Sequence, residues 1–416
     1  MKSFSITINR LTSLLSQTSS DLVACNVYVS AGKRQHAEPL LNVLKSSQEL
    51  CQKLRQGQTK TNDDDGHQNT SNRRIAIIHA YADGPYDRSS FHLAGCAECV
   101  ALVASHVAMT AIDALQPSLL HQAQSDDADA PNSKHPLVGI VDHVSIMPLV
   151  QLESTIETSR DTVHVQTRES QMQMKSSDKK EMHEHDHIYI PSDAQGLAAL
   201  YVAHKLTQRG VQCYPYGTAD QNHTPLATVR KQKTSFFNSG GLALSMRSNM
   251  KDEDYLGICT VGSPMNFVEN FNVRLTSHIS RKQAMTLTKK VRERDGGVIG
   301  VEALTLPYSE DRFEVACNLL QPNIGSADCV MKKVKEWIDE QQLIIATGIE
   351  SSLKDGNPVQ DGDNCNYTYY RYIDEAYRVG TTVEQCMSVL VENEDNFEVH
   401  DAMVLGNFEK FLHTCS

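Results

Sequence analysis

At 416 residues the chain is long for a single hydrophobic core, and domains of roughly 100 to 200 residues make two domains the expected division. Lysine and arginine number 39 against 51 aspartates and glutamates, a net charge of −12 with histidine neutral, which argues against nucleic acid or an anionic membrane surface as the main partner. No run of 18 or more apolar residues occurs, so no bilayer span is expected.

In chain order, residues 1–20 carry Lys2 and Arg10, no acid and many hydroxyls, with Phe4, Ile8, Leu11 and Leu15 on one helical stripe. They read as a disordered cytoplasmic terminus, with a mitochondrial targeting segment as the alternative. Leu22 to Ala31 alternates like a strand, and Leu40, Val43, Leu44, Cys51 and Leu54 then share a helical face. A polar insertion from about Gln56 to Arg74 precedes a strand at Ile75 to His79, a turn at Asp83-Gly84-Pro85 and a strand at Ser89 to Gly95. Cys96 to Leu115 reads as an Ala-rich helix stopped near Pro117, and an acidic insertion from Gln122 to Ser133 leads to His135 and a strand at Val138 to Met147. The order is strand, helix, strand, strand, helix, strand, that of a split βαβ or ferredoxin-like unit.

Leu152 to Ile190 is charged and without period, most simply a disordered loop. Ser192-x-x-Gln195 predicts a capping box for a helix over Ala194 to Arg209, followed by a strand at Val211 to Gly217 and a short basic helix at Leu226 to Lys233. A Gly- and Asn-rich linker separates these from strands at Leu256 to Val261, which either half could hold, and Phe267 to Leu275. A helix capped by Ser280-x-x-Gln283 follows, with Ala284, Leu287, Thr288 and Val291 on one face. Strands at Val298 to Leu306 and Phe313 to Leu320 flank a turn at Pro307 to Asp311, and a helix marked by Val330, Val334, Trp337 and Ile338 precedes a closing strand at Leu343 to Gly348. The expected fold is therefore α/β (α+β), two ferredoxin-like subdomains whose open sheet faces meet across a ligand cleft. Their bounds are 1–20 terminus, 21–237 first subdomain, 238–254 linker, 255–349 second subdomain and 350–416 an appendage on the second.

The eleven cysteines are irregularly spaced and read as free thiols; Cys96-x-x-Cys99 has no second pair to complete a zinc site. His183, His185 and His187 alternate within a charged stretch that nothing holds in place, so no metal is expected.

Several strings resemble one family in order: Val29-Ser30-Ala31-Gly32-Lys33, Asp87-Arg88-Ser89, His135-Pro136-x-x-Gly139-x-x-Asp142, Tyr214-Pro215-Tyr216-Gly217, Gly257-x-x-x-x-Gly262 and Asn270-Phe271-Asn272-Val273. The chain is similar to the formiminotransferase domain, N- and C-terminal subdomains without the cyclodeaminase, over roughly Leu22 to Gly348. Arg294-Asp295-Gly296-Gly297 and Val315 to Leu320 look closest to its stand-alone, plant-type branch.

The resemblance implies transfer of a formimino group from N-formimino-L-glutamate to N5 of tetrahydrofolate, with the folate as co-substrate, no metal, and His135 as catalytic base. A group titrating near neutrality suits that reaction, because the attacking amine loses a proton and the departing amine gains one. Asp142 or Asp83 could fix its tautomer. Arg88 is the expected donor to substrate carboxylates, with Lys33, Arg230 and Lys231 secondary. Gly257 and Gly262 would let backbone approach the pterin, Asn270 and Asn272 share a strand face that could read its edge, and Tyr216 could stack on it or serve the core. Where animal members carry Asp-x-Asp-Ala-Gly-Pro, His79 and Tyr81 stand in place of two carboxylates, and Tyr28 replaces an asparagine. A non-catalytic folate-binding or interaction protein is therefore the alternative reading. The expected ligands are small molecules, with no nucleic acid or membrane partner; a homodimer stays open.

Overall fold

The computed structural model describes residues 7–18, 20–57, 74–125, 138–149, 189–234, 256–309, 311–350, 371–392 and 396–414. Two sheets and the helices that cover them give an α/β fold. The first sheet has six strands, β1 (Leu22–Val29), β2 (Ile75–Asp83), β3 (Arg88–Cys96), β4 (Val141–Pro148), β5 (Gln212–Gly217) and β6 (Ile258–Ser263), in the order β2-β3-β1-β4-β6-β5. The first four pair antiparallel, whereas β6 runs parallel to both β4 and β5. The second sheet holds β7 (Glu269–Leu275), β8 (Val301–Ser309), β9 (Arg312–Leu319) and β10 (Ile373–Arg378) in the order β10-β7-β9-β8, all antiparallel.

Each sheet is apolar on one face because its strands alternate. In β1, Val23, Cys25, Val27 and Val29 point into the main core, where α2 (Ala37–Gln56), α3 (Ala97–Ser125) and α4 (Ala194–Gln208) supply Leu40, Leu44, Ile112 and Val202. In the second sheet, Val273, Val315 and Leu319 meet Leu287 and Val291 of α6 (Arg281–Val291) and Trp337 of α7 (Ala327–Glu350). The capping box forms as expected: the Ser280 hydroxyl accepts from the Gln283 amide, and the Gln283 side chain accepts from the Ser280 amide at 3.0 Å.

Several elements differ from the sequence reading. Residues Ile8–Gln17 form α1, with Leu11 and Leu15 buried and the helix packed on α4. Helix α3 passes through Pro117 to Ser125, since one lost ladder bond does not end a helix whose next residues are good formers. Its stretch Ala97–Gln116 is long and apolar enough to cross a membrane by composition alone, and here it packs between the sheet, α2 and α4. The cap of α4 is Asp193, which accepts from Gly196 N at 2.6 Å, not Ser192. Pro307 lies within β8, an edge strand where a missing donor is tolerated. The apolar run Leu343 to Gly348 is the end of α7; with no breaker before it, an unbroken helix competes with the expected strand.

Sheet two is closed instead by β10. The remaining C-terminal elements lie on the first sheet. Helix α8 (Val383–Glu392) covers Ala24, Ala76, Ala94 and Met147, the apolar half of that sheet's second face. Helix α9 (Phe397–Thr414) runs along the β2 edge, where His400 Nε2 meets Ile77 O at 3.0 Å and Phe408 packs edge-to-face on Phe91 at 5.5 Å. The described residues 371–392 and 396–414 therefore serve both sheets, in place of an appendage on the second alone.

Phe408 has no exposed surface and lies in the main core. Phe408→Ala is expected to lower the unfolding free energy by about 3–5 kcal/mol, read as a lower urea midpoint.

Candidate functional site

The strand order brings three loops to one end of the first sheet: the chain leaving β1, the turn between β2 and β3, and the segment leading into β4. Ser30 binds that segment twice, N to Ile140 O and Oγ to Gly139 O, each at 2.8 Å. Ser89 Oγ donates to Ala31 O at 2.5 Å. Asp87, in the left-handed region at φ 51°, accepts from Gly32 N at 2.8 Å and Lys33 N at 3.0 Å. A side chain at position 32 would lie 2.3 Å from Arg88 O, so only glycine admits this approach.

Arg88 Nη2 donates to Asp142 Oδ1 at 2.6 Å across this junction. The Asp142 side chain has no exposed surface and Arg88 only 14%. Asp142 Oδ2 is buried without a hydrogen-bond partner among the described residues. Burial pushes the Asp142 carboxyl up, while Arg88 and then Arg230 of α5 (Leu226–Lys233) pull it down.

A row of rings runs from this pair along the sheet. The Arg88 guanidinium lies 5.3 Å from the Tyr28 ring centre, His143 stacks on Tyr28 at 5.5 Å, and Tyr216 stacks on His143 at 5.5 Å. Strand β6 separates β4 from β5, so Tyr216 reaches His143 only by lying over Gly262, where a Cβ would be 2.4 Å from its Cδ1. His143 Nδ1 is 3.2 Å from Thr260 O and 3.0 Å from Thr260 Oγ1, which itself donates to Asp142 O at 3.2 Å. The proton therefore sits on Nδ1. Burial, then Arg230 and Arg88, hold the ring well below its usual pKa, and it is neutral at pH 7.

The polar face of the first sheet meets that of the second. Tyr28 Oη donates to Asn270 Oδ1 at 3.0 Å, and Asn270 Nδ2 donates to Asn318 Oδ1 at 2.7 Å. Glu314 has no exposed surface and accepts from Asn272 Nδ2 at 2.7 Å, Tyr377 Oη at 2.8 Å and Tyr86 Oη at 3.2 Å, the last from the β2–β3 turn. Arg274 lies 3.6 Å from Glu314 and 3.9 Å from the Tyr308 ring centre. Desolvation raises the Glu314 carboxyl to about 7, with Asp83 reinforcing it and Tyr377, Arg274 and Tyr86 opposing. Farther along the first sheet, the register neighbours Asn26 and His92 bury Oδ1 and Nδ1 without partners among the described residues.

Of the residues expected in the site, Arg88 and Asp142 come together, and Tyr216 stands at the far end of the row, beyond Tyr28 and His143. His135 lies outside the described residues, as do His183, His185 and His187. Asp83 accepts from Tyr86 N at 3.1 Å and Tyr81 Oη at 3.3 Å, bonds that shape its own turn. The space left by Gly257, at φ 94°, is taken by Gly139 with a Cβ contact of 2.6 Å, and the space at Gly262 by Tyr216. Asn270 and Asn272 do share a face, and there they bond to neighbouring side chains. His143, Thr260 and Glu314 were not foreseen; the signal available was a polar residue at every second position of otherwise apolar strands. Among the described residues, no group of three or more His, Cys, Asp or Glu side chains is placed to hold a metal.

No family model matches the chain. It is 29% identical over 152 residues to a formiminotransferase cyclodeaminase-like protein of Arabidopsis thaliana, covering 33% of this chain and 50% of that protein. The similarity is to a formiminotransferase-like protein over a third of this chain. It does not specify a branch, and the chain spans about half the length of the curated relative it matches. Among solved structures, the periplasmic protease PqqL from Escherichia coli aligns with a TM-score of 0.14 and 8% identity, covering 94% of this chain and 41% of that one, a likeness too low to carry an argument.

Because Glu314 titrates near 7 when folded and near 4.5 when unfolded, the folded protein holds the extra proton between those values. Its contribution to stability is fully present below about 4.5 and is lost as pH rises through about 7. Glu314→Gln, which cannot ionise, is expected to gain stability relative to the unmodified protein at pH 8 compared with pH 5, measured by urea unfolding at both.

Proposed function

We propose that the protein is a folate-dependent one-carbon transferase that moves a formimino group from N-formimino-L-glutamate to N5 of tetrahydrofolate. The observation that supports it most is the convergence of three family-like strings, Ser30 to Lys33, Asp87 to Ser89 and Gly139 to Asp142, around the Arg88–Asp142 pair. The similarity to a formiminotransferase-like protein points the same way.

In this reading His135, three residues before Val138, is the general base and then the general acid. N5 attacks the amidine carbon and gives up its proton; the C–N bond to glutamate breaks, and the departing amine takes a proton. Such catalysis is typically worth about 10² to 10⁴ in rate. Arg88 and Arg230 supply positive charge for the carboxylates in which both substrates end. His143 stays neutral and holds its ring between Tyr28 and Tyr216.

One observation favours a second reading, a folate-binding protein without turnover. His79 and Tyr81, which replace carboxylates of the family pattern, both lie edge-on to Phe411 of α9, at 6.1 and 5.0 Å. That packing commits them to the fold.

Incubation of purified protein with tetrahydrofolate and N-formimino-L-glutamate is expected to yield the 5-formimino product, with His135→Ala slower by about 10² to 10⁴. Activity that survives the substitution would remove His135 as the base. Saturable folate binding without product would favour the second reading.

A further inference from the structure

The geometry points to Asp142 as a substrate-reading residue: its inner oxygen, Oδ2, accepts an N–H from a protonated amidine on the ligand while Arg88 holds Oδ1. This inference rests on the proposed function for its ligand, because the formimino group of formiminoglutamate is an amidine.

A buried carboxylate oxygen without a donor is costly, and native structures leave few such atoms unexplained. Around Asp142 the other polar groups are already committed. Oδ1 takes Arg88 Nη2 at 2.6 Å, and the main-chain oxygen takes Thr260 Oγ1 at 3.2 Å. Two described donors nearby are committed elsewhere: Tyr28 Oη to Asn270, and His143 Nδ1 to Thr260. Among the described residues Oδ2 has no such partner, and it lies at the end of the sheet where the loops converge.

Charge selects the class of donor. Arg88, at 2.6 Å, and Arg230 both favour the charged form of Asp142, so Oδ2 presents negative charge to a donor. A ligand with two carboxylates and one amidinium offers a cationic N–H to Oδ2 and anionic groups to the guanidinium side. A neutral amide of the same shape would leave a charge uncompensated and Oδ2 facing a carbonyl or a weaker donor. N-formylglutamate carries that neutral amide, with oxygen in place of the terminal nitrogen and the same two carboxylates.

The test is equilibrium binding of N-formimino-L-glutamate and N-formyl-L-glutamate to the full chain, by calorimetry, for the unmodified protein and Asp142→Asn. Asparagine keeps an acceptor for Arg88 and turns the inner atom into a donor. The unmodified protein is expected to prefer the amidine by at least about tenfold in Kd, and Asp142→Asn to bind both ligands within about twofold of each other. The comparison in the unmodified protein stands even if the variant fails to fold, which its melting curve reports. That preference without any 5-formimino product would count against the proposed reaction and leave the role of Asp142 standing. Equal affinities, no saturable binding of either ligand, or a preference that survives in Asp142→Asn would overturn it and assign Oδ2 to an internal water.

Discussion

Asp142 has no exposed surface, and such a carboxylate stays ionised only where a cation compensates for the lost water. Arg88 does so from the first residue of β3, at 2.6 Å, and the constraint spreads from there. To hold Arg88 in place, the β2–β3 turn must press against the chain leaving β1, which requires Gly32 and a left-handed Asp87. To hold Asp142, the head of β4 must sit against β6, which requires Gly139 beside Gly257. One ion pair thus explains why glycines and short polar side chains gather at this end of the sheet.

The same logic governs the meeting of the two sheets. A dry, apolar contact would need no directional bonds; here polar side chains face each other, and each requires a partner. Tyr28 with Asn270, and Tyr86 with Glu314, tie the first sheet to the second. Glu314 is held by three donors and still has a raised pKa, so desolvation outweighs its hydrogen bonds. Such a junction aligns the sheets by bond geometry, which positions Tyr28, and through it His143 and Arg88, relative to Asn270.

Much of this was legible before any coordinates. Alternation in β1 and the spacing of Leu40, Val43 and Leu44 named the core, Ser280 and Gln283 named a cap, and the open faces of two sheets were expected to face each other across a ligand cleft. What was not legible depended on contacts between distant parts of the chain. Leu343 to Gly348 has the composition of a strand and continues a helix because nothing interrupts it. Helix α9 settles on β2, more than 300 residues earlier in sequence, through Phe408 and His400, a docking that no local pattern announces. Glu314 and His143 look like ordinary solvent-facing residues in strands, and become central only because a second polar face lies opposite or a tyrosine stacks on either side. Gly257 and Gly262, expected to let backbone approach a pterin, have that space filled by Gly139 and Tyr216.

The central claim is that ligand binds where the three loops converge on Arg88 and Asp142. Hydrogen–deuterium exchange with and without tetrahydrofolate tests it most directly. The account predicts slowed exchange in backbone amides of residues 28–33, 83–89 and 138–143, with α6 and α7 unchanged. Protection confined to those helices, or none in the three segments at saturating folate, would contradict it.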